Sequence, residues 1–153
     1  MREAEHITQF LTSSYESNAW HGPALLETLE GVDSTIATSK LAGITHSIWE
    51  LVVHLAQWKD FVRQRIERDT PVIPTDAEDW PEVGQQNAQT WSALLSRLHR
   101  SQEQLIATVR QMSAEKLDQT VPGKDYSYRV MLLGSAQHDA YHAGQIQLIK
   151  RAK

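Results

Sequence analysis

The stretch Ser47–Arg68, SIWELVVHLAQWKDFVRQRIER, decides the fold. Its apolar residues recur at spacings of three and four, which is the period of one face of an α-helix. Ser47 and Glu50 match a capping box, in which the serine hydroxyl accepts from the third helical amide and the glutamate accepts from the serine amide. The stretch therefore predicts a long helix from Ser47 to about Arg68 with one apolar face: Ile48, Leu51, Val52, Leu55, Trp58, Val62 and Ile66.

The same period recurs on both sides of this helix, and the chain shows few strand patterns. Further helices are predicted over about Glu3–Asn18, Ala24–Leu29, Gln85–Met112 and Ser127–Arg151, the last with Asp125 as its N-cap. Thr75 and Glu78 form a second capping box, which predicts a short helical turn near Trp80. Residues 113–123 are interpreted as a linker. Four long helices predict an all-α four-helix bundle, and 153 residues fit one domain spanning 1–153.

Composition narrows the classes of function. The net charge is −4 and the basic residues are scattered, so we expect no nucleic-acid partner, because such binding needs a basic face. There are no cysteines, which excludes disulfides and thiolate metal sites. No apolar run approaches the roughly 20 residues of a membrane helix, and residues 1–6 lack the apolar region of a signal peptide. We expect a cytoplasmic protein without a membrane partner.

A pair of histidines carries the chemical signal. His138 and His142 lie at positions i and i+4, so both imidazoles project from one face of the last helix and could converge on one metal ion. A metal needs a further ligand, which a facing helix of a bundle can supply. His54 is the best candidate because it lies among apolar residues of the second long helix, where an unpartnered imidazole is costly to bury.

Other interpretations of these residues stay open. The pair on the last helix could be surface side chains, and His54 could be a satisfied core residue. Asp139 could orient a ligating histidine or lie on the surface, and zinc-protease chemistry is disfavoured because its motif has glutamate at this position. Asp139 and Glu50 are the nearest carboxylates in sequence, but neither can be assigned as a general base, so no catalytic residue is predicted.

Two segments resemble the signatures of a known family. His46–Trp58, HSIWELVVHLAQW, is similar to the second-helix signature of the DinB/YfiT-like metalloenzyme superfamily, and Gln137–Ile146, QHDAYHAGQI, is similar to its fourth-helix signature. The turn at Trp20–Pro23 also resembles one found in many members. The resemblance implies a four-helix bundle with crossed connectivity, a metal site formed by His54, His138 and His142 with water, and a homodimer.

Members of this family include S-transferases that use low-molecular-weight thiols, a thiol-dependent isomerase and hydrolase-like proteins. The resemblance therefore implies a metal-dependent transferase or hydrolase acting on a small molecule, with zinc, nickel or iron as the ion. The alternative is a non-catalytic module in which metal clamps two helices of a dimer, and a weaker one is a bundle without metal. A shared fold does not define the reaction.

Overall fold

The structure is a computed structural model that describes residues 3–152; residues 1, 2 and 153, at the ends of the predicted domain, lie outside the described part. The described residues form helices and no β-strand, apart from one isolated bridge between Thr120 and Ser127. The helices are α1 (Glu3–Tyr15), α2 (Leu25–Leu29), α3 (Ser34–Thr38), α4 (Ile48–Glu67), α5 (Asp76–Asp79), α6 (Ala88–Arg110), α7 (Ala114–Asp118) and α8 (Tyr128–Arg151).

The four long helices, α1, α4, α6 and α8, form the bundle that the sequence predicted, with the crossed connectivity that the family resemblance implied. Helix α1 packs against α6 and α8, and α4 packs against the same two helices. Consecutive long helices α1 and α4 are therefore diagonal in the bundle, and so are α6 and α8. As a result α4 and α8, which carry the three histidines, are neighbours in space although α6 separates them in sequence.

Capping explains where the helices around the site begin. The Ser47 amide donates to Glu50 Oε2 at 2.7 Å, and the Glu50 amide donates to Ser47 Oγ at 3.3 Å, so the predicted capping box of α4 is formed. Thr75 and Glu78 form the second box, which opens α5. The N-cap of α8 is Ser127 rather than Asp125, because Ser127 directly precedes the first helical residue and accepts from the Val130 amide.

Several boundaries differ from the predictions. Helix α1 ends at Tyr15, three residues before Asn18, whose φ of 63° is left-handed. Helix α6 begins after its N-cap Asn87 rather than at Gln85. Helices α3 and α7 were not predicted, and α7 occupies part of the segment interpreted as a linker. Each has five residues, which is too short for a helical period to emerge from the sequence.

The buried apolar residues form two clusters, which together fill the space between the long helices. One cluster contains Ile48, Leu55 and Trp91, and the other contains Leu11, Leu105 and Leu132. The predicted apolar face of α4 is buried except for Trp58 and Ile66, which are half-buried. Across residues 3–152, no helix has both the length and the apolar character needed to cross a membrane.

Candidate metal centre

The structure brings the three predicted histidines together. His54 projects from α4, and His138 and His142 project from α8. The Nε2 atom of His138 lies 3.1 Å from His54 Nε2 and 3.0 Å from His142 Nε2. In the part of the chain that the structure describes, this is the group of three His, Asp or Glu side chains close enough to hold one ion, with its ligand atoms within 4.8 Å of one another.

Helix α5 orients the His54 ring. His54 Nδ1 donates to the backbone carbonyl of Asp79 at 2.8 Å and lies 3.2 Å from Asp79 Oδ1. Because a carbonyl oxygen can only accept, the proton of neutral His54 is on Nδ1 and the lone pair is on Nε2. Asp79 Oδ1 also accepts from Trp58 Nε1 at 2.5 Å, which ties α5 to α4 beside the site. Sequence reasoning missed Asp79.

Gln145 orients the His142 ring in the same way. His142 Nδ1 donates to Gln145 Oε1 at 2.6 Å, one turn along α8. The proton of neutral His142 is therefore also on Nδ1, and its Nε2 lone pair faces the centre of the cluster. Carboxylate or amide oxygens that hold the outer nitrogen of a ligating histidine are a regular feature of metal sites.

The three Nε2 atoms are not satisfied by one another. His54 and His142 each direct a lone pair towards His138 Nε2, but a neutral His138 has at most one proton there. At least one of the two contacts therefore sets lone pair against lone pair at about 3 Å. An ion with metal–nitrogen bonds of about 2.0–2.1 Å would replace this repulsion by coordination. The donor set of three neutral imidazoles fits a divalent ion such as zinc, nickel or ferrous iron.

Burial keeps the imidazoles neutral. It lowers the pKa of His138 to about 3, and the neighbouring His142 and His54 rings lower it further in the same direction. Burial also lowers the pKa of His142 to about 4 and lowers that of His54 from its ordinary value. All three imidazoles are therefore uncharged at neutral pH, which is the state that metal coordination requires.

Trp80 closes one side of the cluster. Its ring stacks on His54 with centroids 4.0 Å apart and an interplanar angle of 9°, and it stacks on His46 at 3.6 Å and 3°. The tryptophan is thus sandwiched between a candidate ligand and a loop histidine. The sequence placed Trp80 only in a short helical turn, and it did not indicate this contact.

Asp139 and Glu50, the carboxylates nearest to these histidines in sequence, have other partners. Asp139 is buried and makes an ion pair with Lys59, whose Nζ lies 2.7 Å from Oδ2 and 2.9 Å from Oδ1. Both earlier interpretations of Asp139, a histidine partner and a surface residue, are therefore wrong. Because Asp139 follows His138 directly, its side chain is turned by about 100° around α8 and meets α4 elsewhere. Glu50 is engaged by the cap and by Lys40 at 3.1 Å.

A cavity of about 300 Å³ opens beside His138. It lies between α4 and α8, with Trp58, Val62 and Arg65 on one wall and Met131, Gly134 and His138 on the other. His138 is the half-buried member of the three histidines, whereas His54 and His142 are 4% exposed. The cluster is therefore reached through the face of His138, which is where a small molecule could approach.

Comparison with known proteins gives the family. The fold and the site together define a class of protein. Its members are four-helix bundles with crossed connectivity and with histidines on the second and fourth long helices. The profile of the DinB superfamily matches residues 19–146, and the chain belongs to that superfamily. No curated protein matches the sequence significantly.

One solved structure shares the fold. It is the crystal structure of the colibactin self-resistance protein ClbS in complex with double-stranded DNA, with a TM-score of 0.72 and 20% identity. The match covers 97% of this chain and 95% of that chain.

The ClbS complex corrects the expectation that nucleic acid is excluded as a partner. That expectation rested on the net charge of −4, and it is contradicted because a protein of the same fold is solved with double-stranded DNA. Net charge describes solubility and long-range attraction of the whole molecule, and it does not describe individual faces. An acidic chain can therefore still present a face that contacts phosphates.

Proposed function

We propose that this protein is a divalent-metal-dependent enzyme whose ligands are His54, His138 and His142. The observation that carries the proposal is the convergence of three Nε2 atoms. Two of them, in His54 and His142, have a lone pair because Nδ1 donates to Asp79 and to Gln145 respectively. Three protein ligands leave a coordination position open, which is typical of catalytic rather than structural zinc. Zinc, nickel and iron all remain candidates because imidazole suits each of them.

The ion would supply Lewis-acid chemistry, since a coordinated thiol or water loses its proton near neutral pH. The chain's own residues hold the imidazoles neutral, exclude water on the Trp80 side and leave access through the cavity. Among residues 3–152, no Asp or Glu lines that cavity. Thiol transfer demands less of the chain than hydrolysis, because an unperturbed thiol has a pKa of about 8.5 and needs no carboxylate base. We therefore place S-transfer from a low-molecular-weight thiol ahead of hydrolysis.

Elemental analysis of protein purified without an affinity tag tests the metal directly. We expect about one divalent ion per chain in the natural protein and none in a His138→Ala/His142→Ala variant. The exposed His99→Ala variant is the matched control and should retain the metal. Absence of metal from the unmodified protein, with equal stability of the double variant, would reject the proposal.

Turnover separates the enzyme from a non-catalytic metal-stabilised module. The melting temperature of either kind of protein would fall on chelation, because an ion that binds only the folded state stabilises it by mass action. Only the enzyme should convert a generic electrophile faster with one thiol than with others. Equal rates across a panel of thiols, at or near the uncatalysed rate, would favour the module or a hydrolase.

The homodimer that the family resemblance implies is part of this proposal. Tyr141 and Leu148 lie two turns apart on α8 and are 65% and 68% exposed, with Gly144 exposed between them. Apolar side chains around a glycine would let a second helix approach closely. Size-exclusion chromatography with light scattering should give twice the mass of one chain. The Tyr141→Lys/Leu148→Lys variant should give the mass of the monomer.

Contact with double-stranded DNA is a second candidate, favoured by the DNA complex of ClbS. Fluorescence anisotropy with a labelled duplex tests it, since phosphate contacts make the affinity fall steeply with salt. Binding at 50 mM salt that weakens on approach to 200 mM would support this candidate. Unchanged anisotropy at 50 mM salt would remove it.

A further inference from the structure

Arg65 is a buried cation without a carboxylate partner. The residue is 3% exposed, and no Asp or Glu oxygen lies within 4 Å of its guanidinium in the described chain. Its Nε donates to the Val72 carbonyl at 3.0 Å and its Nη1 donates to Tyr126 Oη at 3.4 Å. An arginine has five donors, so this group retains hydrogen-bonding capacity. A buried charge is costly unless an opposite charge offsets it.

The guanidinium lines the cavity that opens beside His138. Both groups lie near Trp58: Arg65 Cζ lies over its ring, 5.4 Å from the centroid, and the centroid of the His138 ring lies 5.8 Å from the same ring. The rest of the lining is largely apolar, with Val62, Val130 and Met131. The lining of the cavity thus combines a cation, an imidazole of the candidate metal centre and an indole that lies near both.

We infer that this cavity binds a small monocarboxylate, with the carboxylate on Arg65 and its flat apolar body on Trp58, directed towards His138. The inference rests on the proposed function for the direction of the reacting end, but the anion site on Arg65 does not require metal. The planar guanidinium matches a carboxylate in a paired arrangement of hydrogen bonds. Arg65 is the one Lys or Arg among the described residues that line this cavity, so one negative charge balances it and a doubly charged phosphate monoester would not.

The volume sets the size of the ligand. About 300 Å³ is at the lower end of the range for small-molecule pockets. Because Arg65 and His138 both lie near the Trp58 ring, the space beside that ring fits a body of about one aromatic ring. A molecule such as 3-phenylpropionate has these dimensions, and 3-phenylpropanamide is a neutral analogue of almost the same shape.

Calorimetric titration with this pair tests the inference. We expect the carboxylate to bind at least about tenfold more tightly than the amide, which corresponds to one charge-assisted interaction. The preference should persist after treatment with EDTA, because it arises at Arg65. Equal affinities for the two probes, or no binding of either at millimolar concentration, would overturn the inference. Loss of the preference on chelation would also overturn it, since the carboxylate would then have been bound by the metal.

Variants assign the preference to one side chain. Arg65→Met should abolish it, and the exposed Arg100→Met, which changes the net charge equally, should leave it intact. Arg65→Lys keeps the charge without the fork and should retain a reduced preference, which provides a second measurement if Arg65→Met does not fold. An unchanged preference in Arg65→Lys and Arg65→Met would place the carboxylate elsewhere. If the unmodified protein contains no metal as purified and still prefers the carboxylate, the proposed function is rejected and this anion site stands.

Discussion

Lys59 Nζ lies 2.7 Å from Asp139 Oδ2 and 5.0 Å from the centre of the Tyr15 ring, so one buried ammonium of α4 contacts both α8 and α1. Both charged side chains are 2% exposed. Burial raises the pKa of Asp139, and the Lys59 ammonium opposes that rise. Burial and the Asp139 carboxylate raise the pKa of the Tyr15 hydroxyl, which has no hydrogen-bond partner.

Removing one member of this ion pair should destabilise the bundle strongly. We expect Lys59→Met or Asp139→Leu to cost about 3–5 kcal/mol in the free energy of unfolding, because each leaves an uncompensated buried charge. The double variant should recover most of the loss, since apolar residues then replace both charges. Urea unfolding of the four proteins measures the coupling. A control is the more exposed pair Arg63–Glu67, where Arg63→Met should cost no more than about 0.5 kcal/mol.

Stability of the metal-free protein should fall as the pH is lowered from about 6.5. In the unfolded chain His138 and His142 have a pKa of about 6.5, whereas in the folded protein the values are about 3 and about 4. Between these pH values the unfolded state binds more protons than the folded state. The contribution of the two neutral histidines to the free energy of unfolding is therefore fully present above pH 6.5 and is lost as the pH falls towards 4. Urea unfolding in EDTA at several pH values measures this slope. His138→Ala/His142→Ala should flatten it and His99→Ala should not; equal slopes in all three proteins would contradict the assignment.

Gln145 should affect metal affinity more than stability. Gln145→Leu removes the acceptor of the His142 Nδ1 proton, so the ring loses its fixed tautomer and orientation. Loss of such a partner typically weakens metal binding by about 10–100-fold. Competition with a chromophoric chelator measures the affinity, and Gln137→Leu, on an exposed position of the same helix, is the matched control. Similar affinities for both variants would argue against this role.

Removing the capping box of α4 and removing that of α5 should have different effects. Ser47→Ala removes the cap of the long helix α4 and should cost about 0.5–2 kcal/mol of global stability. Thr75→Ala removes the cap of α5, a helix of four residues, and should change global stability little. Because α5 presents the Asp79 carbonyl to His54, Thr75→Ala should instead weaken metal binding. Measuring unfolding and metal affinity on both variants separates these effects, and loss of global stability in Thr75→Ala alone would refute this division.

The features that the sequence predicted are those with local signals. The period of α4, its capping box and the i, i+4 spacing of His138 and His142 each lie within one helix, where neighbours in sequence determine geometry. The approach of His54 to this pair depends on packing between helices: its apolar surroundings in the sequence made it a candidate, and the family resemblance then linked it to the pair. Lys59 was missed although it falls between Leu55 and Val62 at a position of the apolar face, which is a signal for a buried charge.

The features that the sequence did not predict depend on contacts between distant segments. Asp79 meets His54 across 25 residues through a helix of one turn, and no periodic pattern records such a contact. Phe10 follows Ile7 by three residues, which is the spacing of one helix face, but it is 58% exposed because Ile7 and Leu11 already fill the face of α1 that packs in the bundle. The expectation that nucleic acid is excluded as a partner was wrong because it was drawn from the charge of the whole chain and not from the charge of individual faces.

The crossed connectivity has a consequence for the order of events during folding. His54 and His138 are 84 residues apart. Between them lies α6, the next long helix after α4, and it packs on α4. Contacts between distant segments form at a greater entropic cost than local ones, so we expect the α4–α6 pair to assemble before α8 docks. A nascent chain would then have no complete set of imidazoles until α8 was in place. Metal acquisition would thus mark a finished fold rather than help to nucleate one.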